Sequence, residues 1–139
     1  MFNLVEVSPY HTHLTKVILY AKEKGLKTRI STSGVGLTDQ MAQQLKNVRL
    51  DYCLLSLNGS KEHIHKLSRS GFDETIKALH ILSDAYIPTS INWVANHGNV
   101  SDLPKLINLA KSNDVKYISL LSNKKSNSDK ALILIMEEL

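Results

Sequence analysis

The chain has 139 residues, a length that suits one hydrophobic core, and 42% of them are hydrophobic against 22% charged. These proportions fit a soluble globular class and disfavour disorder, while 6 glycines and 3 prolines exclude collagen-like and mucin-like chains. No apolar run approaches the roughly 18 residues that span a bilayer. Met1 to Glu6 has neither the basic nor the apolar part of a secretory signal, so a cytoplasmic protein is expected. The net charge of +4 is spread along the chain, with Lys124-Lys125 its longest basic run; this reads as solvated surface, not as a nucleic-acid site.

The predicted elements alternate. Asn3 to Val7 reads as a strand, followed by the turn residues Ser8 and Pro9. Leu14, Val17, Ile18 and Ala21 share one helical face, and Gly25 stands where a helix ends in a positive-φ residue. Thr28 to Thr32 is the next strand and Ser33-Gly34 its loop. Thr38 and Asp39 open a helix whose Met41, Ala42, Leu45 and Val48 face inward. Tyr52 to Leu57 is almost wholly apolar, as a parallel strand covered on both faces would be. After Asn58-Gly59-Ser60 comes a short polar helical turn over Lys61 to Leu67, then a helix from Phe72 to Ala85 burying Phe72, Ile76, Leu79 and Leu82.

Pro88 opens a fourth strand over Thr89 to Val94. Ser101 or Asp102 caps a helix whose Leu103, Leu106, Ile107 and Ala110 share a face, and Pro104 fits its first turn. Tyr117 to Leu121 is a fifth strand. Residues 1–121 thus read as one domain. Residues 122–139 read as a polar, basic linker to Lys130 and an apolar segment from Ala131, either a final helix or the start of something further. The fold class is α/β, with β/α units alternating along a parallel sheet of about five strands. A doubly wound sandwich and an arc of a (β/α) barrel both satisfy this pattern.

Cys53 is the only cysteine, so the chain alone can form neither an internal disulfide nor a three-cysteine metal or cluster site. Its apolar strand makes it a buried, inert thiol. His11 and His13, like His63 and His65, are two residues apart, which on a strand would point both rings one way but on a helix turns them about 200° from each other and prevents chelation. Both pairs precede or lie within expected helical turns, and no carboxylate cluster joins them. No metal site is expected. Trp93 reads as a core side chain, with stacking on a ligand ring as the alternative. Gly34 and Gly36 lack the third glycine of a phosphate-binding loop. The polar residues Ser31, Thr32, Ser33, Ser56, Asn58 and Asn92 fall at strand ends, where parallel α/β sheets bind ligands, though such residues also satisfy their own turns. No catalytic residue stands out.

Several segments together resemble a known family. Lys-Thr-Arg-Ile-Ser-Thr-Ser-Gly-Val-Gly-Leu from Lys27, Leu-Ser-Leu-Asn-Gly-Ser from Leu55, and Lys-Glu-His-Ile-His from Lys61 are similar to consecutive motifs of the radical S-adenosylmethionine superfamily. Ile91-Asn92-Trp93-Val94 and the segment from Asn99 to Ala110 resemble its next strand and helix. The likeness runs from Leu4 to Leu121 and is nearest to the branch of molybdenum-cofactor and pyrroloquinoline-quinone synthesis enzymes and peptide maturases. Asn58 stands where the family usually has Asp, and Glu6-Val7-Ser8-Pro9 keeps only the proline of its Gly-Gly-Glu-Pro. The family's Cys-x3-Cys-x2-Cys loop, which holds a [4Fe–4S] cluster, has no counterpart here.

The resemblance implies a partial TIM-type (β/α) barrel, the middle of a longer one, with S-adenosylmethionine as cofactor. It implies that Ser31 or Thr32, Ser56 and Asn92 contact the cofactor's carboxylate, ribose or methionyl part. The expected parent activity is 5′-deoxyadenosyl-radical chemistry in cofactor or peptide maturation, the chain alone not being catalytic for want of cluster ligands. The alternative is a non-catalytic scaffold acting through oligomer contacts. An unclosed arc exposes two sheet edges, near Val5 and Ile118, which a second copy, strand exchange or residues 131–139 should cover.

Overall fold

The structure is a computed structural model that describes residues 4–7, 12–122 and 132–135. The turn at Ser8 and Pro9, His11 and the linker over 123–130 lie outside the described residues. The elements are β1 (Leu4–Val7), α1 (Leu14–Glu23), β2 (Lys27–Thr32), α2 (Asp39–Asn47), β3 (Tyr52–Ser56), α3 (Glu62–His65), α4 (Phe72–Asp84), β4 (Thr89–Ala95), a 3₁₀ turn (Val100–Asp102), α5 (Leu103–Ser112), β5 (Tyr117–Ser122) and β6 (Leu132–Ile135). No helix among the described residues is long and apolar enough to cross a membrane.

The six strands form one sheet in the order β1-β2-β3-β4-β5-β6. The first five are mutually parallel, and β6 runs antiparallel to β5. A doubly wound sheet reverses its strand order at a switch point. This order never reverses, so the architecture is an arc of a (β/α) barrel, in line with the partial-barrel expectation. The apolar segment after Ala131 is not a helix: its residues Leu132 to Ile135 form β6 and cover the edge of β5 through Ile118↔Leu134 and Ser119↔Ile133. Among the described residues, β1 pairs with β2 alone.

Helices cover one face of the sheet, and the core lies between the layers. Ile30, Cys53, Leu55, Ile91 and Ile118 enter it from the strands, and Ile18, Leu45, Leu79, Leu82 and Leu106 from the helices. The opposite face is open among the described residues, where Tyr52, Leu54 and Ser56 of β3 are only half-buried. The expectation that both faces of β3 are covered is thus corrected: its inward run Cys53, Leu55 and Leu57 is core, and the alternate residues line a concave surface.

Local signals explain the helix ends. The Thr38 hydroxyl accepts from the Met41 N–H at 3.2 Å, the expected N-cap. Asp102 occupies the position before α5 but makes no side-chain cap. Its carboxylate instead takes the Ser60 N–H and hydroxyl, both at 2.6 Å. Gly34 has φ 84°, and a Cβ there would lie 2.7 Å from the Cβ of Ala78 and 3.0 Å from Leu55 Cδ1. Only glycine lets the loop after β2 lie directly on α4.

At the amino-terminal rim, one carboxylate ties three elements together. Asp51, just before β3, accepts from Lys22 Nζ of α1 at 2.9 Å, from the Thr28 N–H of β2 at 2.7 Å and from the Thr28 hydroxyl at 3.0 Å. Burial alone would raise its pKa. The hydrogen bonds from Lys22 and Thr28, together with the Lys22 charge, outweigh this and hold it below the ordinary 3.8.

Two predictions follow from this packing. Gly34→Ala loses about 2 kcal/mol or more, from positive φ and overpacking together, read as a lowered urea midpoint. Asp51→Asn loses about 1 kcal/mol at neutral pH. Because the folded carboxyl titrates below the unfolded one, its contribution is complete above 3.8 and fades as pH falls through the lowered value. The gap between wild type and Asp51→Asn should therefore narrow in acid.

Candidate functional site

Strand alternation sorts the residues at the carboxyl rim onto two faces. Ser31, Ser56 and Asn92 are half-buried on the open face. Ser56 pairs in register with Asn92, and Ser31 with Leu54 one step lower. Ser119 continues the row, pairing with Asn92 from β5. Sequence reasoning passed over Ser119. Its signal was the parity of β5, in which Ile118 is core and its neighbours must face the other way. None of these four side chains has a hydrogen-bond partner among the described residues, so their donors and acceptors are free to meet a ligand.

The other candidates are engaged. Thr32 lies on the helix side, 7% exposed, and its hydroxyl accepts from the Gly34 N–H at 3.0 Å. Ser33, past the end of β2, accepts weakly from the Val35 N–H at 3.4 Å, and its carbonyl takes the Thr75 hydroxyl at 2.7 Å. Asn58 is 4% exposed. Its Oδ1 accepts from the Val94 N–H at 3.0 Å and its Nδ2 donates to Ser68 Oγ at 2.9 Å. Thr32 and Asn58 therefore shape loops, whereas Ser31, Ser56 and Asn92 present free polar atoms to the concave face.

His65, fully buried in α3, supports the same loop. Its Nδ1 accepts from the Asn58 N–H at 3.0 Å, so the ring proton sits on Nε2, which faces the Ser70 carbonyl at 3.3 Å. The Phe72 ring lies 5.8 Å away, centroid to centroid. Gly59 is needed beside it, because a Cβ there would come within 2.7 Å of the His65 main-chain nitrogen. Burial lowers the His65 pKa below the ordinary 6.5; the Ser70 hydrogen bond opposes this and the Arg69 charge adds to it. Stability from the neutral ring is complete above 6.5 and falls as pH drops below it, since the unfolded chain then binds a proton that the folded chain refuses. Urea midpoints at pH 7.5 and pH 5.5 should show this loss in wild type and a smaller one in His65→Gln.

Cys53 lies on the helix side of β3, fully buried, and desolvation pushes its thiol up to about 12. One protonated, enclosed thiol does not fit an iron–sulfur cluster, and no group of three His, Cys, Asp or Glu among the described residues could hold a metal ion. His63 is exposed while His65 is buried, so the pair diverges. Trp93, 3% exposed, belongs to the core and is turned from the concave face; its Nε1 has no partner among the described residues. A cleft of about 530 Å³ lined by Lys27, Asp51, Tyr52, Pro88, Ser90, Lys116 and Tyr117 lies at the opposite, amino-terminal rim. In (β/α) barrels that rim serves stability and the carboxyl rim chemistry.

Comparison with known proteins agrees with this geometry. Residues 5–110 match the model of the radical SAM superfamily. Fe-coproporphyrin III synthase of Methanosarcina barkeri is 32% identical over 107 residues, 76% of this chain and 27% of that protein. PqqA peptide cyclase of Rhizobium meliloti is 31% identical over 100 residues, 70% of this chain and 27% of that protein. Among solved structures, Streptococcus suis SuiB superimposes with a TM-score of 0.76 at 15% identity, covering 90% of this chain and 30% of SuiB. Archaeal TYW1 gives 0.65 at 18% identity, covering 87% of this chain and 43% of TYW1. The chain thus spans about a quarter of the length of the curated relatives it matches. The match over residues 5–110, in line with the unreversed parallel arc, places the chain in the radical SAM superfamily.

Proposed function

We propose that this chain forms the central arc of a radical S-adenosylmethionine barrel and supplies part of the cofactor's pocket. The observation that carries this reading is the pair Ser56 and Asn92, in register on adjacent strands with their side-chain polar atoms uncommitted. Ser31 and Ser119 extend the row to either side, and Ser33 stands at the rim above β2. A hydroxyl donates to or accepts from a ribose hydroxyl or a carboxylate, and the Asn92 carboxamide does both at once. Thr32 and Asn58 belong to the pocket as the residues that fix its loops. One solved relative is a SuiB structure bound to S-adenosylmethionine, which superimposes with a TM-score of 0.75.

S-Adenosylmethionine supplies, when bound, a sulfonium whose carbon–sulfur bond is cleaved by one added electron. The residues of this chain bind and orient; its single cysteine, enclosed and protonated, does not suffice to hold the cluster that delivers that electron. On this reading the cluster ligands are supplied from outside this sequence. The activity of the whole assembly is then radical chemistry in cofactor or peptide maturation, a reading supported by the likeness to an Fe-coproporphyrin III synthase and a PqqA peptide cyclase.

A second reading, a scaffold that acts through copies of itself, is favoured by β1, which has one strand neighbour among the described residues. The β5 edge is covered by β6 and gives it no support. Light scattering that shows a dimer lost on placing proline at Val5 would favour this reading.

Calorimetric titration of the chain with S-adenosylmethionine tests the first reading. Saturable heat with a Kd of about 0.1–1 mM is expected, weakened about fivefold or more in Ser56→Ala and in Asn92→Ala. Absence of saturable heat in wild type, or variants that bind as wild type does, would count against it.

A further inference from the structure

We infer that Asn58 is a positioning residue: its side chain serves as an extra rung of the sheet that holds Ser56 and Asn92 side by side at the mouth of the pocket. The inference rests on the cofactor-pocket reading above and adds to it a residue that acts without touching the ligand.

In a parallel ladder each strand's amides and carbonyls alternate between partners on the neighbour. The β3–β4 ladder proceeds to the pair Ser56↔Asn92, and its last main-chain bond runs from the Leu57 N–H to the Asn92 carbonyl at 3.1 Å. There the chain turns away at Asn58-Gly59, while β4 continues to Ala95. The Val94 N–H would be left without the acceptor that a continuing strand provides. Asn58 Oδ1 takes that place at 3.0 Å. A side-chain carboxamide thus stands in for a peptide carbonyl one step beyond the ligand-facing pair.

The mimicry is reciprocated from β4. Asn99, fully buried, donates through Nδ2 to the Asn58 carbonyl at 3.0 Å and to the Val94 carbonyl at 2.9 Å, and accepts the Asn96 N–H at 2.8 Å. Two asparagines therefore zip the loop after β3 to the loop after β4. The Asn58 N–H is held by His65 and its Nδ2 by Ser68, so the carboxamide has one orientation. Without the rung, the last turn of ladder is free to fray from Val94 back to Asn92, and the carboxamide of Asn92 loses its fixed height against Ser56.

Asn58→Asp keeps an acceptor for Val94, and the Ser68 hydroxyl can reverse to donate to it; Asn58→Ala removes the acceptor. Both variants and wild type are titrated with S-adenosylmethionine at a temperature where circular dichroism shows all three folded, and amide exchange of Val94 is followed by NMR in the absence of ligand. The expected result is Val94 exchange at least tenfold faster in Asn58→Ala with affinity lowered about tenfold, and both restored to within about twofold of wild type in Asn58→Asp. An Asn58→Ala variant that exchanges faster at Val94 yet binds as wild type does overturns the positioning role. So does an Asn58→Asp variant that exchanges slowly but binds as weakly as Asn58→Ala, since the carboxamide would then be touching the ligand itself. A wild-type chain that gives no saturable heat overturns the cofactor-pocket reading, and the positioning role with it.

Discussion

A parallel strand that stops before its neighbour leaves that neighbour's main-chain groups without partners, and a buried unpaired amide costs about as much as a lost hydrogen bond or more. In this chain β3 stops at Ser56 while β4 continues to Ala95, so the problem arises at the carboxyl rim of the sheet. Its solution is a set of side chains that imitate backbone: Asn58 as an acceptor, Asn99 as a donor, Asp102 as the holder of the Ser60 amide. Because those side chains are used in this way, the rim's main-chain groups are paired without its polar side chains all being engaged. Ser31, Ser56, Asn92 and Ser119 remain free on the concave face because the loops do not need them.

The two rims of the arc use polar residues differently. At the amino-terminal rim, Asp51 gathers a lysine, an amide and a hydroxyl around one charge, tying α1 and β2 to the start of β3. At the carboxyl rim, the connections are divided among the Asn58 and Asn99 carboxamides, the His65 imidazole and the Asp102 carboxylate. Spread over several side chains, these bonds position the strand ends one by one.

Much of the fold is legible in the sequence because its signals are local. Leu14, Val17, Ile18 and Ala21 declare a helix face, Thr38 declares its cap, and the order of strands follows from alternation of the two periodicities. The polar row on the concave face is partly legible, since Ser56 and Asn92 sit at strand ends. What distinguishes them from Thr32 and Asn58 is not, because the Asn58 partners Val94 and Ser68 lie 36 and 10 residues away and depend on how two loops meet. Asp102 misleads for the same reason: a helix-capping residue by position, it is drawn off by Ser60, 42 residues distant. Ser119 becomes visible only when Ile118 is known to be core, and Leu132 to Ile135, a short run of bulky aliphatics, carries no period that separates strand from helix.

The unreversed strand order also bears on how the molecule comes to be assembled. Every ladder joins strands that are consecutive along the chain, so no segment waits for a distant one before it finds a partner. Loop-closure entropy is met in a series of similar, modest instalments instead of one large one. Each β/α unit can dock as it leaves the ribosome, on a surface already formed by the unit before it. By the same logic, the gain or loss of a unit at one end disturbs a single ladder, which makes an arc of this kind readily lengthened, shortened or joined to another chain over evolutionary time.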